Sequence, residues 1–311
     1  MKGLEFSYHG EFSKAALVFQ RVVDSDPSNP IGYFLKAAAL ESYMSDFSTF
    51  GPEKEFFDLL TQAVVKGKAL LEEQDENPEV PFVIGASHFY RGFHCARKKE
   101  YLKALTELAR AKPWLEKTVS VDSTFYDAYL GLGILEYLSA KAKDYLIPFI
   151  SGKYERSIQM ITLGTKGKYT SVIAEEALVV ALAGSSRWSE AIERALQLIG
   201  SFPRNRLFYW ALIEIYRRKE DPQGVISTGY ELLELVKNGQ PDHHYNQGLL
   251  RRYLAEAHLQ LGEYRACIRQ CDSVLSLLKD KNLDAQAEEV EKEAFKLKRQ
   301  AARALAKKVD R

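Results

Sequence analysis

The sequence predicts an all-α fold of antiparallel helix pairs stacked in a row, and three observations carry that expectation. Apolar residues recur at three- and four-residue spacing along nearly all of the 311 positions, while strand-like alternation is scarce. Turn signals punctuate this period at short intervals: "DSDPSNP" (24–30), "STFGPE" (48–53), "QDENPE" (74–79), "SFPRN" (201–205) and "KEDPQG" (219–224). One figure of residues also returns along the chain, which makes the pairs copies of a single unit. About fourteen helices follow from these spacings, joined by the short connections of antiparallel neighbours.

Taken in order, residues 1–51 hold the first repeats. In "YHGEFSKAALVFQRVVDSDPSNP" (8–30), Gly10 ends one helix and Phe12 starts the next. Ala15 and Phe19 share a face, Val22 follows a turn later, and Pro27 stops the helix. Residues 52–138 read as longer, less regular helices, with Pro113 expected to kink one of them. "SAKAKDYLIPFISG" (139–152) reads as a loop inserted between the helices of one pair. The figure returns within 153–279, as "SSRWSEAIERALQLIGSFP" (185–203) with Trp188, Ala191, Ala195 and Leu198, and as "QLGEYRACIRQCDSVLSLL" (260–278) with Gly262, Tyr264, Cys267 and Cys271. Small residues let paired helices approach, and aromatic residues wedge the neighbouring turn.

Residues 280–311 close the array. Ala287, Val290, Ala294, Leu297, Ala301 and Leu305 form a narrow apolar stripe. Acidic residues crowd the start of this helix and basic residues its end, which complements the helix dipole. Two readings stand: a solvating cap, or a seam through which two copies of the chain dimerise.

This pattern resembles the tetratricopeptide repeat, a helix–turn–helix unit of about 34 residues. The first-helix positions Tyr129, Leu132 and Gly133, Tyr209, Leu212 and Tyr216, and Leu254 and Ala255 match it as well. The resemblance implies a right-handed superhelical solenoid of about six to seven repeats. More weakly, the run from "YDAYLGLGILEYL" to "FISGKYERSIQMI" is similar to a group of bacterial tetratricopeptide proteins of unassigned activity. In the repeat frame Gly3 and Phe6 belong to a helix that would begin before Met1. The expectation is therefore a natural protein with an upstream segment. Its compartment would be cytoplasmic as given, and periplasmic if an export signal has been trimmed.

Composition and motifs argue against chemistry. Lys plus Arg number 43 and Asp plus Glu 42, so no generic attraction to nucleic acid or an anionic membrane is expected. The longest apolar runs, such as "ALVVALAG" (177–184), fall far short of the ~18 residues of a membrane span. Three cysteines do not make a disulfide framework. Cys267 and Cys271 lie one helical turn apart, too few for a metal site, and read as small hydrophobes. His88, His94 and Cys95 read as packing residues for the same reason.

"LGLGILEYL" (130–138) lacks the strand and third glycine of a dinucleotide loop. "GTKGKYT" (164–170) lacks the phosphate-loop spacing and reads as a turn between helices. Glu175/Glu176 and Glu72/Glu73 read as solvated helix faces. No cofactor, metal or catalytic residue is expected. The acidic stretch 41–79 and the basic stretch 91–117 are expected to neutralise each other as neighbours.

By the resemblance, the first helix of each pair lines a concave groove. The groove places fall on Phe34 and Glu41; Phe82, Phe89 and Tyr90; Leu130 and Tyr137; Trp210, Glu214, Arg217 and Arg218; and Arg252 and Glu256. The Lys/Asn/Arg set with which one subgroup of the family grips C-terminal carboxylates is missing. The function expected is a non-catalytic protein-interaction scaffold whose partner is a peptide or protein segment. Two alternatives are a small-ligand or enzymatic pocket beneath the 139–152 insert, and a self-assembling array. Tyr145, Leu146, Ile147, Phe149 and Ile150 either plug the groove or leave it open.

Overall fold

The computed structural model describes residues 2–73, 76–146, 154–279 and 285–309, and among these lie fifteen helices and no strand. Two compact units divide the chain, Met1–Asn205 and Arg206–Arg311. The first unit holds five antiparallel pairs: α1 (Lys2–Tyr8) with α2 (Phe12–Ser25), α3 (Pro30–Asp46) with α4 (Glu53–Glu73), α5 (Glu79–Arg97) with α6 (Tyr101–Val121), α7 (Asp127–Leu146) with α8 (Tyr154–Gly164), and α9 (Ser171–Gly184) with α10 (Trp188–Ser201). In the second unit α11 (Arg206–Arg218) pairs with α12 (Pro222–Gly239) and α13 (His244–Gln260) with α14 (Tyr264–Leu278). There α15 (Ala285–Val309) packs on the last pair.

The turn inside six of these pairs is one repeated object. A residue with left-handed backbone ends the first helix: Gly10 (φ 73°), Ser48 (44°), Lys99 (63°), Ser186 (63°), Glu220 (58°) and Gly262 (71°). The next N–H then bonds the carbonyl five residues back, as Glu11 to Phe6 (2.8 Å), Thr49 to Met44 (3.0 Å), Glu100 to Cys95 (2.9 Å), Arg187 to Leu182 (2.9 Å), Asp221 to Tyr216 (2.8 Å) and Glu263 to His258 (2.9 Å). This closure satisfies carbonyls that a helix end otherwise leaves unpaired. Glycine takes the position only twice; elsewhere an L-residue bears about 1 kcal/mol of backbone strain. "KEY" (99–101) therefore does the work of "GEF" (10–12), and the region that looks irregular in sequence is regular in its turns.

In five of the six pairs, three residues into the second helix sits a buried small or branched side chain, Ala15, Ala104, Ala191, Val225 or Cys267; in α4 it is buried Phe56. Close approach is enforced on the facing helix too. A Cβ at Gly3 would lie 2.6 Å from the Phe19 ring, and one at Gly133 would lie 2.8 Å from the backbone nitrogen of Ile161. Cys267 and Cys271 are fully buried among Val274, Val290, Ala294 and Leu297. A hydrogen bond between the two thiols, together with burial, holds Cys271 far above the usual thiol range. These cysteines are core residues.

The stripe of α15, from Ala287 through Ala301, is buried against α13 and α14. Those side chains are covered within the chain. The inserted loop needs correction, because α7 runs without interruption to Leu146. "SAKAKDYL" holds good helix formers and no breaker before Pro148, so nothing stops the helix at 139. Residues 147–152 lie outside the described residues, as does the plug expected of Ile147, Phe149 and Ile150. The helix α6 continues through Pro113.

"GTKGKYT" is a turn built on one carboxylate. Buried Asp127, at the start of α7, accepts from the backbone N–H groups of Lys168 (3.0 Å), Tyr169 (2.6 Å) and Thr170 (2.8 Å), and from the Thr170 hydroxyl (3.0 Å). A Cβ at Gly167 would lie 2.5 Å from Asp127 Oδ1, so only glycine leaves room for the carboxylate. The nest that a phosphate loop offers a ligand is filled here by the protein itself.

The first unit also brings its two ends together. Tyr8 meets the Phe202 ring edge-on at 5.6 Å, and its carbonyl accepts from the Asn205 side chain at 3.0 Å. Arg204 reaches Glu11 at 3.5 Å.

Candidate functional site

Five of the groove residues expected from the sequence converge in the second unit, on α11 and α13. They gather round Tyr253, which the sequence reading did not single out. The Arg217 guanidinium lies 3.9 Å from the Tyr253 ring centre and that of Arg252 lies 4.4 Å away. Trp210 meets the ring edge-on at 6.1 Å. Both arginines are held in place by carboxylates: Arg217 bonds Glu214 at 2.9 Å and Glu256 at 3.4 Å, and Arg252 approaches Glu256 at 3.6 Å. Trp210, Arg217, Arg252 and Tyr253 are all half-buried, and Glu214 is exposed. Arg218 is exposed as well and joins none of these contacts. The result is a surface of flat, stiffened side chains, which loses little conformational entropy when something lies against it.

The first-unit set behaves differently. Phe34 packs edge-on against Phe82 (5.9 Å) and Tyr90 (5.4 Å), and Phe82 stacks on Tyr169 (6.1 Å). Phe82 is 2% exposed, Tyr137 7% and Leu130 8%, so these three are wall and core rather than open binding surface. Tyr137 fills the space beside Gly184, where a Cβ would clash with its hydroxyl. Phe89 and Tyr90 are half-buried.

Glu41, also a groove candidate, is a structural carboxylate. It is 4% exposed, bonds His94 Nδ1 at 2.7 Å, and pairs with Arg97 at 2.5 Å. His94 is fully buried, with Phe50, Phe56 and Phe57 around its ring. Beside it Lys98 bonds Glu53 at 2.6 Å. The acidic and basic stretches therefore meet, and among the described residues their carboxylates and cations pair at this network. Lys103 and Arg110 are matched within their own segment, by Glu100 and Glu107.

Glu175 and Glu176 divide into two roles. Glu175 pairs with Arg194 at 2.7 Å across the α9–α10 pair. Glu176 is not the solvated carboxylate expected. Enclosure raises its pKa from 4.5 to about 7. It makes no hydrogen bond or ion pair among the described residues, and its field reaches Tyr8 of α1 and Tyr90 of α5. Burial is the main cause of the raised pKa of both tyrosines, with Glu176 adding to it. Three first helices thus converge on an interior that sequence spacing along any one helix does not reveal.

This carboxyl sets a pH dependence. Its folded-state pKa lies above its unfolded one, so between about pH 4.5 and 7 the folded state binds more protons. Stability should fall as pH rises through that window and level off above it. Glu176→Gln is expected to remove the fall, worth about 1–3 kcal/mol, the lower figure allowing for the solvent that still reaches the side chain. Urea denaturation at pH 5 and pH 8 measures it; an unchanged difference between the two pH values would show that Glu176 is not the group responsible.

Among the described residues no three His, Cys, Asp or Glu side chains are placed to hold a metal ion. No helix among them is long and apolar enough to cross a membrane.

No protein-family model and no curated protein matches the chain. Solved structures do. A chain from the APC/C hetero-tetramer Cut9–Hcn1 matches with a TM-score of 0.57 at 16% identity, over 98% of this chain and 54% of that one. This chain therefore spans about half the length of that relative. PilW, a type IV pilus biogenesis factor, matches with a TM-score of 0.52 at 13% identity, over 75% and 91% of the two chains. A tetratricopeptide repeat protein from Parabacteroides merdae is also similar, with a TM-score of 0.45 at 14% identity over 94% and 96%. At these identities the likeness is one of fold.

Proposed function

We propose that this chain, which has the fold of tetratricopeptide-repeat arrays, is a non-catalytic protein-interaction scaffold that holds a peptide or protein segment on the α11–α13 face. The observation that carries the reading is the arrangement at Tyr253, with two guanidinium groups over one ring and Trp210 at its edge. Tyrosine, tryptophan and arginine are the residues on which interface energy concentrates. Here the two arginines are held by Glu214 and Glu256 before any partner arrives. Replacing Trp210 and Arg217 together by alanine is expected to abolish capture of the native partner while helicity and Tm stay unchanged. Affinity capture from the native host with both forms as bait tests it, and equal recovery of the same protein by both would refute this face as the site.

A second reading has one observation behind it. Glu176, with Tyr8 and Tyr90 close enough to feel its charge, is an unpaired, enclosed carboxyl of the kind found in ligand sites. It favours a small cationic or hydrogen-bond-donating ligand inside the first unit. Binding there would be lost in Glu176→Gln and kept in the Trp210/Arg217 variant, which separates the two readings.

A further inference from the structure

The side of the α1–α2 pair that faces away from α3 carries an open groove of about 590 Å³. Gly32 of α3 abuts Val22 and Val23, and Lys36 of α3 bonds Gln20, so α3 takes one side of α2. Lys14, Leu17, Val18, Arg21, Val22 and Ser25 of α2 line the groove together with Lys2 and Phe6 of α1, with Val22 at the edge it shares with α3. The Leu17 side chain stands 62% exposed there, and Phe6 is only half-covered.

The second unit shows what such a side receives. Gly10, Glu11, Phe12, Ala15 and Phe19 stand in the same register as Gly262, Glu263, Tyr264, Cys267 and Cys271, a shift of about 250 residues set by the shared turn. In that register Phe6 corresponds to His258 and Val18 to Gln270. Those two residues hold Tyr230 of α12, whose hydroxyl lies 3.1 Å from His258 Nε2 and 3.0 Å from the Gln270 amide. Gly229 of the same helix lies against Leu254, the counterpart of Lys2. The α13–α14 pair thus receives a whole helix on the side that α1 and α2 leave open.

The chemistry of the two seats differs. Where His258 and Gln270 present polar atoms to a tyrosine hydroxyl, Phe6 and Val18 present carbon, so the seated side chain must be apolar. Around that floor stand three cations. Lys2 and Arg21 have no ion pair among the described residues, and Lys14 is matched by Glu11 alone. Exposed apolar surface rimmed by a single sign of charge marks an interaction site rather than a solvated face.

We infer that the α1–α2 groove docks an amphipathic helix, apolar along one stripe and acidic on its flanks, in the manner of α12 on α13–α14. This surface is independent of the α11–α13 face. Two labelled synthetic helical peptides test it, sharing a leucine stripe but flanked by glutamate in one and lysine in the other. Their binding to the full chain is followed by fluorescence anisotropy. The glutamate peptide should bind at least about tenfold more tightly than the lysine peptide. Leu17→Asp and Arg21→Glu, both at exposed positions, should each weaken it about tenfold with unchanged circular dichroism. The Trp210/Arg217 variant should bind it like the wild type. Equal affinity for the two peptides, or binding indifferent to Leu17→Asp and Arg21→Glu, overturns the proposal. So does a wild-type dimer in sedimentation that Leu17→Asp makes monomeric, since a second copy would then be the occupant. Loss of binding in the Trp210/Arg217 variant overturns it too, by moving the peptide to the other face.

Discussion

Replacing Glu41 with alanine is expected to destabilise the first unit by about 3–5 kcal/mol, the usual result of removing one partner from a buried charge pair. The loss is large because of what remains. Arg97 keeps a bond to the Met44 carbonyl at 3.0 Å but loses its carboxylate, and His94 stays fully buried with its Nδ1 unmatched. Glu41→Gln keeps the shape and one acceptor, so it should cost less than alanine. Urea denaturation of the three proteins at one pH measures the series. A groove role for Glu41 predicts the opposite pattern, with intact stability and lost partner capture. A cost below about 1 kcal/mol for Glu41→Ala, the size of an exposed ion pair, would show that the network contributes nothing beyond its contacts with solvent.

Gly133→Val should be comparably damaging, at about 3 kcal/mol, near the upper end of overpacking. A Cβ at this position meets Ile161 Cγ1 at 2.7 Å and the Ile161 backbone nitrogen at 2.8 Å. A side-chain end can swing aside, whereas backbone in the middle of α8 moves only if the α7–α8 pair opens. Gly200→Ala is the matched comparison, because a Cβ there meets nothing within 4 Å. It should raise stability by about 0.5–1 kcal/mol through helix propensity alone. Opposite shifts in Tm for the two substitutions are the expected result; a neutral Gly133→Val would mean that the pair is looser than its packing distances indicate.

What the sequence made legible was the local code. Gly10 and Gly262 announce their turns, and Ala15, Ala191 and Cys267 announce the helix face behind each. The same turn at Lys99 was hidden, because left-handed backbone is tolerated there by a residue that does not advertise it. The end of α7 was misjudged, since a change of composition at 139 is not a break in helix propensity. In the surface proposed for binding, Trp210, Glu214, Arg217, Arg252 and Glu256 follow from the repeat frame. Tyr253 does not, because its role comes from Arg217 on a different helix. Glu41 and Glu176 were misread for one shared reason. Whether a carboxylate is solvated, paired or walled in depends on helices far away in sequence, and the frame of a single repeat carries no such information.

The joint between Tyr8 and residues 202–205 alters how the first unit comes apart. A linear stack of repeats frays from its ends, each unit leaning only on its neighbour. Here the Asn205 amide and the Tyr8 carbonyl, 197 residues apart, tie the last segment to the first helix. The unit is a hoop, so α1 cannot peel away without opening the clasp. Closure of so long a loop belongs late in folding, after the pairs have formed. Once shut, it couples α1 to the 202–205 segment, so that fraying at either end of the unit must first break the joint with the other.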